Sequence, residues 1–431
     1  MDCPYACSRE KVDARSTGPF LLRCLGLLLV TIPVNAAMAN WQIDPVLRAA
    51  WDFDDNSTLS SRTDQEKEIS GYIAEASANF VYTADRSFFS ARPILRTRRY
   101  GDDSGNDSDD QFLRLRGRYG GARHFFGLIG DYSREGVRTA ELADADLDTD
   151  IDPDDIADDQ SGLNFIGTRR ERFKLSPRWS YSLSELSAVS ASWDYLSVAY
   201  DEAPGGRQLF DYTNHRIRVG YRRNLSPRSN MVVALTARDF DTDQFGGDKQ
   251  TFGLDMGFVH SLSETTQFRA TVGLEAFEED PDIVDAENPD PQMVYDISLV
   301  HRLETIRLLA QYRQRVNATG RGDLTKRDEV NLRLTRDLND RFSAGIGLRA
   351  YNDSTISGSN NEQTYVQLRG QVVWRLSRSL FIQADYRNTV LDRSLEGEAA
   401  DSNRITVWLT YQPNPVGGQP TINLGTSNLN R

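Results

Sequence analysis

The sequence predicts an all-β chain, a transmembrane up-and-down antiparallel β-barrel, most simply of 18 strands with 16 as the fallback. Three observations carry the expectation. Apolar and polar residues alternate with period two from Leu47 to Tyr411. The alternating segments are about ten residues or longer, the length a tilted strand needs to cross a bilayer. The links between them are tight and long in turn.

Ahead of the first segment, residues 1–39 read as a secretory signal. Arg9, Lys11 and Arg15 form a basic start, Leu25 to Val34 is apolar, and Ala37-Met38-Ala39 is a small-x-small cleavage site before Asn40. The apolar run from Phe20 to about Ala39 carries Arg23 and Pro33, so it is too short and too broken to span as a helix. The long basic stretch leaves a start codon downstream of Met1 open. Cys3, Cys7 and Cys24 all lie in this segment. The remainder therefore has no thiol to mispair during export, no cysteine nucleophile and no cysteine metal ligand.

Mean hydropathy is −0.54, which excludes a helical membrane protein. The 431 residues carry a net charge of −13. The signal segment holds four basic and three acidic side chains, so −14 falls on the rest. Nucleic-acid binding would favour the opposite sign.

Along the expected barrel, 40–412, the alternation is legible segment by segment. Phe252, Leu254, Met256 and Phe258 alternate with Thr251, Gly253, Asp255 and Gly257; Ile405, Val407, Leu409 and Tyr411 alternate with Arg404, Thr406, Trp408 and Thr410. Tight links include Gly120-Gly121, Ser261 to Glu264 and Asp337 to Asp340. Long polar links include Asp54 to Lys67, Arg134 to Gly162 and Glu278 to Pro291. Short turns on one side and long loops on the other is the asymmetry of outer-membrane barrels. In hydrocarbon every backbone polar group must be paired, which only a closed sheet achieves. Trp51, Tyr72, Tyr119, Trp179, Tyr295, Trp374 and Tyr386 are candidates for interfacial aromatic girdles. Residues 413–431, rich in Pro, Gly and Asn, read as a disordered periplasmic tail.

If the apolar set faces lipid, the opposite set faces the interior. That interior set contains Arg114, Arg116, Arg118, Arg216, Arg218, Arg222, Arg269, Arg307, Arg313, Arg315, Arg333, Arg349, Arg369, Arg387 and Arg404, with Arg48 and Arg238. Acidic residues on the same face are fewer: Asp52, Glu75, Asp131, Asp194, Asp255, Glu275, Asp296, Glu329 and Asp385. Guanidinium forks suit carboxylate and phosphate. Two readings stand open: the arginines bias a pore toward anions, or they pair with these acids and stiffen the wall. The excess negative charge sits in the loops, above all at Asp144 to Asp159. Asp146, Asp148, Asp150 and Asp152 are weak calcium-ligand candidates, lacking an EF-hand's glycine and distal glutamate. The same loop, the longest, is the candidate plug.

His124, His215, His260 and His301 show no metal-ligand spacing and no nucleophile motif, so neither an enzyme nor a cofactor is expected. Expected partners are outer-membrane lipid and lipopolysaccharide, the barrel-insertion machinery and, as an option, polysaccharide-export proteins.

From Pro177 to Phe240 the chain repeats a phrase of aromatic strand, Leu-Ser turn, small-residue strand and Asp/Tyr-rich loop entry. Ser184-Glu185, Ser226-Pro227 and Ser263-Glu264 each follow a leucine. In this the chain resembles the outer-membrane β-barrel porin family (the BBP2-like group) found with exopolysaccharide gene clusters. The resemblance implies an outer-membrane pore, with polysaccharide export as one use; it carries no site residue.

Overall fold

The computed structural model describes residues 40–62, 64–101, 105–141, 167–201, 209–243, 249–279, 290–322, 324–356, 362–393 and 399–413. The signal segment, most of the tail and the aspartates at 146–152 lie outside the described residues.

Eighteen antiparallel strands form one sheet: β1 Asn40–Asp54, β2 Ile69–Ala84, β3 Ser87–Tyr100, β4 Ser108–Gly120, β5 His124–Gly136, β6 Arg169–Ser182, β7 Ser187–Tyr200, β8 Tyr212–Ser226, β9 Ser229–Thr242, β10 Lys249–Ser261, β11 Thr266–Glu279, β12 Gln292–Arg302, β13 Ile306–Ala318, β14 Leu324–Asp337, β15 Phe342–Thr355, β16 Gln363–Arg375, β17 Leu380–Arg393 and β18 Ala400–Tyr411. Each pairs with its neighbours in sequence, and β1 pairs with both β2 and β18, so the sheet closes. The closing register runs from Leu47 opposite Tyr411 to Asp54 opposite Arg404. One short helix, α1 Val137–Glu141, follows β5. The count is 18, not the fallback 16.

Alternation becomes inside and outside on closure. Leu235 on β9, Leu254 on β10 and Leu274 on β11 lie side by side in register and are 63%, 54% and 57% exposed. Their sequence neighbours Ala234, Asp255 and Glu275 are buried. The same split recurs at Ile217, Ile297, Leu332, Ile346, Leu368 and Val407, all exposed. A continuous apolar belt therefore faces outward and a polar wall faces inward. In water such a belt would aggregate; in lipid it is the required surface. Aromatic residues border it. On the turn side Tyr119, Phe126 and Trp179, and Phe342 stacked on Trp374 at 5.7 Å, share the outward face. On the loop side Tyr295 and Tyr312 join hydroxyls at 2.8 Å.

Candidate functional site

The inner wall is built by the residues between the belt positions. Arg114, Arg116 and Arg118 lie on β4; Arg216, Arg218 and Arg222 on β8; Arg269 on β11; Arg307, Arg313 and Arg315 on β13; Arg333 on β14; Arg349 on β15; Arg369 on β16; Arg387 on β17; and Arg404 on β18. Each falls on the strand face opposite the exposed apolar residues. The same face carries basic residues that the alternation alone did not single out: Arg92, Arg96 and Arg98 on β3, Arg170, Arg172, Lys174 and Arg178 on β6, and Arg327 on β14.

Two walls of different character result. On β13 to β18 several of the cations meet buried carboxylates. Glu329, fully buried, receives Arg349 at 2.7 Å, Arg315 at 3.0 Å and Arg313 at 3.1 Å, and Asn331 donates to it at 2.9 Å. Arg327 holds Asp353 through Nε and Nη2, both at 2.6 Å, and stacks 3.8 Å from the centre of the Tyr351 ring. Arg369 meets Asp385 at 2.8 Å, and Arg404 meets Asp52 at 2.8 Å. Here the stiffening reading describes the geometry.

On β4 to β8 some of the cations reach water. Arg114, Arg178 and Arg222 are exposed, and among the described residues none of the three makes an ion pair. One register row runs Arg118, Gly127, Arg178, Ser192, Arg218, Thr236 across β4 to β9. Small side chains separate the guanidiniums, whose strands repeat at about 10 Å, two inter-strand spacings. In that row Arg218 meets Asp255 at 2.9 Å. Elsewhere arginines stand directly opposite one another: Arg92 and Arg114, Arg216 and Arg238, Arg315 and Arg327, and the row Arg369, Arg387, Arg404. Directly opposed like charges destabilise a sheet, so these rows are a cost that the fold carries.

At the loop end, three described segments turn inward. Leu59, in the β1–β2 loop, packs with Tyr351, Tyr365, Leu391 and Ala400 of β15 to β18. Its backbone sits at φ 47°, and Asn56 fixes the loop by donating to the Asp401 carbonyl at 2.8 Å. Arg138 of α1 forms an ion pair with Asp54 of β1, four places away in the ring. The tip of the β13–β14 hairpin buries Val316, Ala318 and Leu324 against Val198, Tyr212, Phe240 and Phe277 of β7, β8, β9 and β11. Arg238 donates to the Val316 carbonyl at 3.0 Å, and the Phe210 amide donates to the Gly320 carbonyl at 2.9 Å. That link is only five residues, shorter than the long polar links the sequence suggests at this end of the barrel. It crosses from β13 toward β7, six places round the ring. The expected plug from Arg134 to Gly162 is described only through residue 141; α1 is its inward-turned part.

The contact at Gly320 is close enough to require glycine: a Cβ there would lie 2.4 Å from the Tyr200 hydroxyl and 2.8 Å from its ring. Gly320→Val is expected to lift the tip, so that trypsin cuts after Arg321 faster than in the wild type. Equal cleavage rates would show that the tip does not depend on this contact.

Among the described residues no group of His, Cys, Asp and Glu could hold a metal ion, and no helix is long and apolar enough to cross a membrane. The sequence matches no family model and no curated protein. Solved structures share the barrel path at low identity. A BenF-like porin from Pseudomonas fluorescens Pf-5 is 9% identical with a TM-score of 0.46, over 86% of this chain and 99% of that one. The outer membrane channel DcaP of Acinetobacter baumannii is 12% identical with a TM-score of 0.41, over 88% and 98%. Pseudomonas aeruginosa OccK2 (OpdF), solved in complex with glucuronate, is 10% identical with a TM-score of 0.45, over 87% and 97%. With its sheet closed, its apolar belt outward and its charges inward, the chain is an eighteen-stranded outer-membrane β-barrel.

Proposed function

We propose that the barrel is a channel for small anionic solutes, selected by the exposed arginine wall of β4 to β8. One observation carries this reading: Arg114, Arg178 and Arg222 stand exposed on the inner face and, among the described residues, make no ion pair. Unpaired guanidiniums on a sheet oppose folding, whereas on β13 to β18 the opposed Arg315 and Arg327 are each offset by a carboxylate, Glu329 and Asp353. A ring of fixed positive charge lowers the barrier for anions and raises it for cations. Arg114, Arg178 and Arg222 are the selecting residues, because water reaches them. Outer-membrane lipid surrounds the belt, and the insertion machinery that seats barrels is the expected assembly partner.

Reversal potentials in a potassium chloride gradient across a planar bilayer test this. The wild type is expected to favour chloride, and a R114Q/R178Q/R222Q variant is expected to lose most of that preference. Preference for potassium in the wild type would end the proposal.

A second reading is favoured by the inward-turned segments at the loop end. With Leu59, α1 and the β13–β14 tip all seated inside the wall, the barrel is a gated or plugged one. Passage of an acidic polysaccharide, the use suggested by the resemblance to barrels of exopolysaccharide clusters, would require those segments to leave. Liposome swelling separates the readings: a plugged structural barrel gives none with small sugar acids.

A further inference from the structure

The outward face does not end at the aromatic border. Beyond it, one exposed leucine stands at each of six short turns on the same lipid-facing side: Leu183, Leu225, Leu262, Leu303, Leu338 and Leu376. Two of these turns share a longer pattern, Arg-x-Leu-x-x-Arg: Arg223, Leu225 and Arg228 between β8 and β9, and Arg336, Leu338 and Arg341 between β14 and β15. Both leucines are 55% exposed, and all four arginines are exposed.

The two turns are built alike. Ser226 Oγ accepts the Arg228 amide at 3.2 Å; Asn339 Oδ1 accepts the Arg341 amide at 2.8 Å and the Phe342 amide at 3.0 Å. Side-chain capping two residues ahead fixes each second arginine relative to its leucine. The first arginine of each set points into the belt. Arg223 lies between Ser187 and Met231, and Arg336 between Ile306 and Ala344, with no carboxylate across either strand. Among the described residues, none of the four guanidiniums makes an ion pair, although Asp340 precedes Arg341 in sequence.

A guanidinium on a lipid-facing site is costly unless it reaches an anion at the interface. Here that anion would lie at the depth of the turns, with an apolar leucine one outward position further along. We infer that each Arg-x-Leu-x-x-Arg turn binds an anionic glycerophospholipid of the leaflet on the turn side. The two guanidiniums take its phosphate and the leucine takes the upper part of an acyl chain. The inference is independent of what the channel passes.

Trp374 stacks on Phe342, directly beside the β14–β15 turn, and so reports on that site. The test takes as its wild type a chain whose five other tryptophans are replaced by phenylalanine, and compares quenching of Trp374 fluorescence by brominated phosphatidylglycerol and brominated phosphatidylcholine, in vesicles of mixed composition. The wild type is expected to favour phosphatidylglycerol at Trp374, with the preference falling about fivefold for each arginine lost. R336Q/R341Q should abolish it, whereas R223Q/R228Q, on the distant turn, should leave the Trp374 signal unchanged. If R336Q/R341Q does not fold, R341Q alone, at an exposed turn position, should still lose about fivefold. Equal quenching by the two lipids in the wild type overturns the inference. So does an undiminished preference in R336Q/R341Q or in R341Q.

Discussion

Glu329→Gln is expected to destabilise the folded barrel by about 3–5 kcal/mol, the loss seen when one partner of a buried charge cluster is removed. Glu329 on β14 accepts Arg313 and Arg315 from β13 and Arg349 from β15. The amide keeps the shape and one hydrogen bond from Asn331's neighbourhood, but three guanidiniums then share a buried site without their counter-charge. Arg327 and Arg315, already directly opposed in register, would feel more of their mutual repulsion. Urea titration of the vesicle-folded barrel, followed by heat-modifiable gel mobility, should show the shift. A second substitution, Arg315→Gln in the E329Q background, should recover part of the loss, because it removes one stranded charge. A change of less than about 1 kcal/mol in E329Q, the scale of an exposed pair, would mean that this wall is wetter than the geometry shows.

Leu324→Ser is the second large effect, this time on gating. Leu324 is buried in the apolar cluster that seats the hairpin tip on β7 to β11. Removing a fully buried leucine side chain forfeits about 2–3 kcal/mol of apolar burial. If the tip exchanges between seated and free, that loss moves the balance by roughly 30- to 150-fold toward the free state. Single-channel recordings should show openings correspondingly more frequent, or a standing increase in conductance. The wall itself is untouched, so ion selectivity should stay close to wild type. Unchanged conductance would show that the tip does not obstruct the path.

How much of this could be read in the sequence follows from where lipid imposes its demand. Within the belt, every second residue must be apolar, so Phe252, Leu254, Met256 and Phe258 announced both β10 and its outward face. Tight turns with a leucine and a serine or asparagine marked the other end of the hairpins. Above the belt both faces meet water, and the signal fades. Arg169, Arg170, Glu171 and Arg172 begin β6 as four consecutive charged residues, so Arg170, Arg172, Lys174 and Arg178 were not assigned inward by alternation. Arg98 and Arg99 pose the same ambiguity at the end of β3. The gate was least legible. Val198, Phe240 and Phe277 are apolar residues on the polar face, which local alternation reads as noise. Their partners Val316, Ala318 and Leu324 lie tens of residues away, and only closure of the sheet brings them together.

The division of each strand into a lipid side and a water side can be tested where both sides are one residue apart. The described chain has no cysteine, so single cysteines at Arg114 and Leu115 report without background. A charged, membrane-impermeant thiol reagent should label R114C in vesicles and reduce its conductance, while leaving L115C unlabelled. Labelling of L115C with protection of R114C would contradict the arrangement, and with it the channel.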